Sequence, residues 1–132
     1  VSDGGAQPGN IYKILPAAAW TAALAMGVYA GSADDARDGF IHFSRAHQVA
    51  ATARKHFAGK TDLLLLEVRA ETLGAALRDE TSRGGELFPH LYGPLPVALV
   101  RRVLPLPWNG EAHDFPPLGG DDHSGPASPM GN

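Results

Sequence analysis

The sequence predicts a compact, mixed α+β domain, and three observations lead to that class. Short apolar stretches of strand character alternate with helical patterns of only a dozen residues or so. The stretch "DLLLLEV" is apolar on both faces, as a strand in the middle of a sheet would be. A long segment rich in Gly and Pro stands before the last strand, where a doubly wound fold would carry a crossover helix.

The first strand is "IYKIL", residues 11–15. Pro16 suits the first turn of a helix, where a missing N–H costs nothing. That helix runs Pro16–Met26 and stops at Gly27, a residue free to adopt the left-handed conformation that ends helices. "YAGSADDARD" reads as a loop. "GFIHFS", residues 39–44, is the second strand, and Ser44 is placed to cap a helix over Arg45–Ala58 that ends at Gly59. In that helix Ala46, Val49, Ala50, Ala53 and Phe57 recur at helical spacing and mark the buried face. "DLLLLEV", 62–68, is the third and central strand, followed by a short helix over Glu71–Leu77. Residues 78–96, "RDETSRGGELFPHLYGPLP", read as a loop. "VALVRRVLPL", 97–106, reads as half a turn of helix and a last strand.

With 132 residues the chain is enough for one domain, and its 44% apolar content supports a real core. The expected organisation is a flexible N-terminus over 1–10, a single domain over 11–108 and a disordered acidic, Gly- and Pro-rich tail over 109–132. All 11 Lys and Arg but only 9 of the 14 acids fall between Ile11 and Trp108, so the domain is weakly positive although the whole chain carries −3. That balance is too small for general nucleic-acid binding, which needs many phosphate contacts.

No cysteine is present, so disulfides, thiolate metal sites and a cysteine nucleophile are excluded. The six histidines show no H-x-x-x-H or H-x-H spacing, and no metal site is expected. The apolar run "PAAAWTAALAMG" is far short of the about 20 residues that cross a bilayer, and no secretory pattern opens the chain. The expectation is a soluble, cytoplasmic monomer that binds neither nucleic acid nor membrane.

Candidate functional residues follow from the strands. Phe40, His42 and Ser44 share one face of the second strand, and Ile41 and Phe43 the other. His42 is either a core histidine bonded to a neighbouring carbonyl or the polar point of a pocket. On an interior strand desolvation favours its neutral form, which offers one donor and one acceptor. Ser44 lies on the same side and could accompany it or merely cap. The stiff segment "ELFPHLYGPLP" carries Phe88, His90 and Tyr92, and polar rings on stiff loops often face ligands. Glu67, Asp79, Glu80 and Glu86 are carboxylates at strand ends or in loops, each either solvated or catalytic. Lys13 meets a phosphate or snorkels to water.

"IYKIL" with Trp20 behind it, "DGFIHFS", "LLLLEV" and "ELFPHLYGPLP" together resemble a small bacterial family known as domain of unknown function 952, over about residues 11–106. One departure is Asp79, where the family usually has an aromatic before the glutamate. The resemblance implies a fold similar to ADP-ribosyltransferases: a split sheet of mixed or antiparallel strands holding NAD in a cleft, with a histidine, an aromatic and a glutamate on three strands. The first-strand histidine has no match here, Tyr12 or Lys13 standing in its place; His42 takes the place of the aromatic, and the glutamate is left open among Glu67, Glu80 and Glu86, so the triad is incomplete. The resemblance implies NAD or a related nucleotide as ligand, bound by Tyr12, Lys13, His42, Ser44, His90 and Tyr92. Ribosyl transfer or hydrolysis would then be carried by His42 and Glu80, the carboxylate stabilising a cationic ribosyl group. Two other readings stay open. One is a non-catalytic module recognising a nucleotide, a small anion or a peptide; the other makes the histidines structural and puts function on a partner surface such as helix 45–58.

Overall fold

The computed structural model of the chain describes residues 6–82 and 84–118. Residues 1–5 and 119–132, on which part of the expected flexible N-terminus and tail fall, lie outside the described residues. The elements, in order, are β1 (Asn10–Pro16), α1 (Ala17–Met26), β2 (Val28–Tyr29), α2 (Ala33–Asp38), β3 (Ile41–His42), β4 (Ser44–Arg45) and α3 (Val49–His56). Then come β5 (Leu63–Arg69), a 3-10 turn (Ala70–Ala76), β6 (Leu77–Thr81), β7 (Leu87–Leu91), β8 (Leu95–Pro96), a second 3-10 turn (Val97–Leu99) and β9 (Val100–Pro105). The class is mixed α+β with short helices, and every strand pairing is antiparallel.

The strands form a four-stranded sheet of order β4-β1-β5-β9, a three-stranded sheet of order β3-β7-β6, and the small pair β2-β8. β5 lies inside the larger sheet, as its unbroken apolar sequence predicts. Side chains alternate across that sheet. Ile11, Leu15, Leu66 and Val68 face one core with Trp20 of α1, while Tyr12, Ile14, Leu63 and Leu65 face another beneath Val49 and Ala53 of α3. α1 ends as expected: Gly27 is left-handed at φ 83, and its N–H reaches the carbonyl of Ala23.

Five expectations are corrected. The segment 29–38 is not a loop: it holds the end of β2 and all of α2. Its reason is a capping box, in which the Ser32 hydroxyl accepts the Asp35 N–H and the Asp35 carboxylate accepts the Ser32 N–H. "GFIHFS" is not one strand. Ile41 and His42 pair with β7, whereas Ser44 and Arg45 pair with β1, so the stretch steps from one sheet to the other at Phe43. Ser44 does not cap α3, which starts only at Val49; the Gln48 side chain takes the Arg45 N–H and gives its own to the Leu87 carbonyl, holding the turn before the helix. Residues 78–96 are not a loop but the hairpin β6-β7, in register Arg78↔His90 through Thr81↔Leu87, followed by β8. Gly84 and Gly85, both at positive φ, make its reversal. The expected helix over 71–77 is instead a 3-10 turn that ends at Ala76, with Leu77 already in β6, and Gly74 within it leaves helical geometry at φ 63, ψ −149.

The chain flanking 11–108 is also engaged. Ala6 N–H donates to the Leu77 carbonyl, His113 is buried against the Lys60 carbonyl, and Phe115 and Leu118 pack on the core under α3.

One glycine is required by close approach. Gly31 sits at φ +107, and a Cβ there would stand 2.8 Å from Cβ of Asp35. Gly31→Ala should therefore destabilise the protein by more than about 1 kcal/mol. A urea midpoint equal to that of the parent chain would show that α2 moves aside freely.

Candidate functional site

The step between sheets at Phe43 opens a cavity of about 550 Å³, within the roughly 300–1,000 Å³ typical of small-molecule sites. Lys13, Asp35 and His42 line it on one side, Thr52, Lys55 and Phe57 of the α3 region on another, and Phe88 and His90 of β7 on a third. His42 and His90 are direct partners in the β3-β7 register, which is why they share it.

Asp35 organises its floor. This carboxylate is buried and takes Lys13 Nζ at 2.9 and 3.1 Å, His42 Nδ1 at 2.6 Å, and the backbone N–H groups of Ser32 and His42. Burial alone would raise its pKa, but His42, Lys13 and the Ser32 N–H together hold it far below the usual carboxylate range. Burial lowers the pKa of Lys13 against the pull of Asp35. The other ring nitrogen of His42, Nε2, lies 2.9 Å from Asp38. His42 is thus less desolvated than an interior strand implies: its side chain is 37% exposed and clasped by two carboxylates.

The predicted residues divide into two groups. Lys13, His42, Ser44 and His90 meet at the cavity, and Tyr12 borders it. Lys13 does not snorkel to water: it is buried and paired with Asp35. Ser44 Oγ lies 2.9 Å from the Thr52 hydroxyl. Tyr12 gives its hydroxyl to Glu67 on the far face of the sheet, where burial raises its pKa. Glu80 and Tyr92 are outside the lining and joined to it through His90. Glu80 Oε1 accepts the Tyr92 hydroxyl at 2.7 Å and pairs with His90 Nδ1 at 2.8 Å. Those bonds, from Tyr92 first and His90 second, lower the Glu80 pKa. Asp79, at the position where the resemblance departs, binds Arg45 and the Gln7 N–H instead of packing as an aromatic would.

Sequence reasoning missed Asp35, Asp38, Lys55 and His56. The pattern S-x-x-D over 32–35 was the available signal for Asp35, since it places a carboxylate at the third helical position. Among the described residues no cluster of His, Asp or Glu is arranged to hold a metal ion. Among the described residues no helix is long and apolar enough to cross a membrane.

The model of the family described as protein of unknown function, DUF952, matches residues 14–103. The chain belongs to this family. The matched range takes in every cavity residue from Ile14 to His90 and leaves Lys13 one position before it. Solved structures of protein CC0527 from Caulobacter crescentus are similar to this DUF952 chain. The crystal structure is 49% identical over 80% of this chain and 93% of that one, with a TM-score of 0.77. The solution NMR structure is 50% identical over 79% and 90%, with a TM-score of 0.72. No curated protein matches the chain.

Proposed function

We propose that this domain binds a nucleotide, NAD or a relative, in the cavity between its two sheets. The observation that carries the reading is a cation left unpaired at the lip of the cavity. Asp35 is engaged by Lys13 and His42, Asp38 by Arg37 and His42, Asp34 by Arg37, and Glu86 stands 3.4 Å from His47. Lys55 and His56, at the exposed end of α3, have no acidic partner among the described residues. Each of these acids has a basic partner, whereas Lys55 at the lip has none, and an unpaired ammonium there favours an anionic group such as a diphosphate. Phe43, Phe57 and Phe88 supply the apolar wall that a planar base would need. The cations also suit the end of α3, because basic groups complement a helix C-terminus; the ligand reading adds to that role.

A cleft between antiparallel sheets is the arrangement that likeness to ADP-ribosyltransferases implies for NAD. The reading is one of binding, since transfer would need a carboxylate at the reacting carbon and Glu80 is occupied by His90 and Tyr92. Calorimetric titration with NAD, AMP and inorganic phosphate is the test. An exposed ion pair is worth up to about 1 kcal/mol, and reversing Lys55 turns that attraction into a comparable repulsion, so the variant Lys55→Glu with His56→Glu should lose on the order of tenfold or more in affinity. Binding should also weaken with salt. An unchanged affinity in the variant, or no heat with any of the three anions, rejects the proposal. Free nicotinamide appearing on incubation with NAD would extend it from binding to cleavage.

A further inference from the structure

His42 and His90, paired across β3 and β7 in the cavity wall, are not equivalent. His42 sets Nδ1 against Asp35 and Nε2 against Asp38, so neither nitrogen remains for a ligand. His90 is different. Its Nδ1 is taken by Glu80, but its Nε2 has no hydrogen-bond partner among the described residues, although the side chain is only 6% exposed. Buried polar atoms are nearly always paired, and one that is unpaired in a cavity wall is a place for a ligand.

Chemistry fixes which proton His90 carries. Glu80 already accepts the Tyr92 hydroxyl on the same oxygen, and an ionised carboxylate can only accept. The ring must then donate from Nδ1, which leaves the lone pair of the neutral ring on Nε2. The Phe40 ring, stacked at 3.9 Å and 17°, holds the imidazole plane, and the β3-β7 register holds its backbone.

We propose that His90 is the proton acceptor of this cavity and Glu80 its positioning residue. Nε2 takes the hydrogen bond of a ligand hydroxyl, the ribose of a nucleotide in the reading above. In a reaction it takes the proton as well. The O–H bond breaks, an N–H bond forms at Nε2, the oxygen keeps the electron pair, and the Glu80 carboxylate balances the imidazolium. The proposal rests on the nucleotide reading only for the source of the hydroxyl.

Two measurements on the full chain test it without a ligand. Long-range nitrogen NMR should show His90 protonated at Nδ1 and bare at Nε2. Diethyl pyrocarbonate, which acylates an imidazole nitrogen with a free lone pair, should then modify His90 faster than the more exposed His42, as read by peptide mass mapping. Glu80→Gln keeps the shape but not the charge and should slow modification of His90 about tenfold, the order by which orienting partners change a histidine. Tyr92→Phe removes the other donor to Glu80 and should leave the tautomer as it is. A proton on Nε2, or His42 reacting faster than His90, overturns the proposal, and an unchanged rate in Glu80→Gln removes Glu80 from it. Protection of His90 by NAD supports the nucleotide reading. Fast modification without such protection leaves the acceptor standing and withdraws the nucleotide.

Discussion

Asp35→Ala is expected to lower the unfolding free energy by about 3–5 kcal/mol, the usual cost of removing one partner from a buried ion pair. The loss has three sources. Lys13 is left buried with no counter-ion, His42 loses the partner of its Nδ1, and the Ser32 N–H loses its acceptor at the start of α2. Asp35→Asn should recover part of this, because an amide oxygen still accepts from backbone N–H groups but brings no charge to Lys13. A second change separates the terms. Adding Lys13→Met to Asp35→Asn removes the stranded ammonium, and replacing both members of a buried pair is far gentler than removing one. That double variant should therefore be more stable than Asp35→Asn alone. Acid titration supplies the sign. Because the native pKa of Asp35 is depressed, its contribution is complete above the unfolded carboxylate value of about 4. It is lost as the pH falls from there toward the native value, since the unfolded chain then binds a proton that the native chain refuses. Stability of Asp35→Ala should show a shallower fall over that range. A loss under about 1 kcal/mol would mean that the pair contributes no more than a surface one.

How much of this was legible depended on where each element finds its partners. β1, α1 and β5 are long or strongly apolar, and their own sequences announce them. β3 and β4 are two residues each, and nothing in "GFIHFS" says that its halves serve different sheets; that division is made by β1 and β7, far away in sequence. β6 was hidden for another reason. "LRDET" lies at the edge of its sheet, carries mostly polar side chains, and has none of the apolar run by which β5 declares itself. Pro89 and the glycine pair then make the hairpin resemble a loop. The cavity lining was legible by the same measure. His42, Ser44 and His90 stood out as polar groups in apolar or stiff surroundings, and the cavity does collect them. Asp35 did not stand out, because "DDARD" looks like a solvated charge run. Only folding α2 against Lys13 makes one of its acids a buried hub. Glu80 was picked out as a carboxylate near a ligand, but its distance from the cavity by one histidine is a matter of side-chain direction in the hairpin, which spacing does not encode.

Glu67→Ala is the second large effect expected, and it also separates the two faces of the sheet. Glu67 is buried on the face away from Asp35, accepting the Tyr12 hydroxyl at 2.9 Å and two bonds from Arg102, and so joins β1, β5 and β9. Burial would raise its pKa, but the Arg102 and Tyr12 bonds carry it below the usual range. Its stabilisation is thus present above that range and drains away as the pH falls through it. Removing the carboxylate leaves the Tyr12 O–H without its acceptor in a buried site, at about 1–3 kcal/mol. Arg102, whose side chain is 40% exposed, can turn to water and adds little. Adding Tyr12→Phe to Glu67→Leu should return most of the loss, because removing both partners of a buried hydrogen bond is nearly neutral where removing one is not. Urea unfolding would read both, with the midpoint shifting at constant slope. In the proposed nucleotide reading, the affinity of Glu67→Ala for the three anions should stay that of the parent, since Glu67 touches no part of the cavity lining except through Tyr12. A variant that folds as stably as the parent but binds none of the three anions would reverse the assignment, making Glu67 the functional carboxylate and the far face the site.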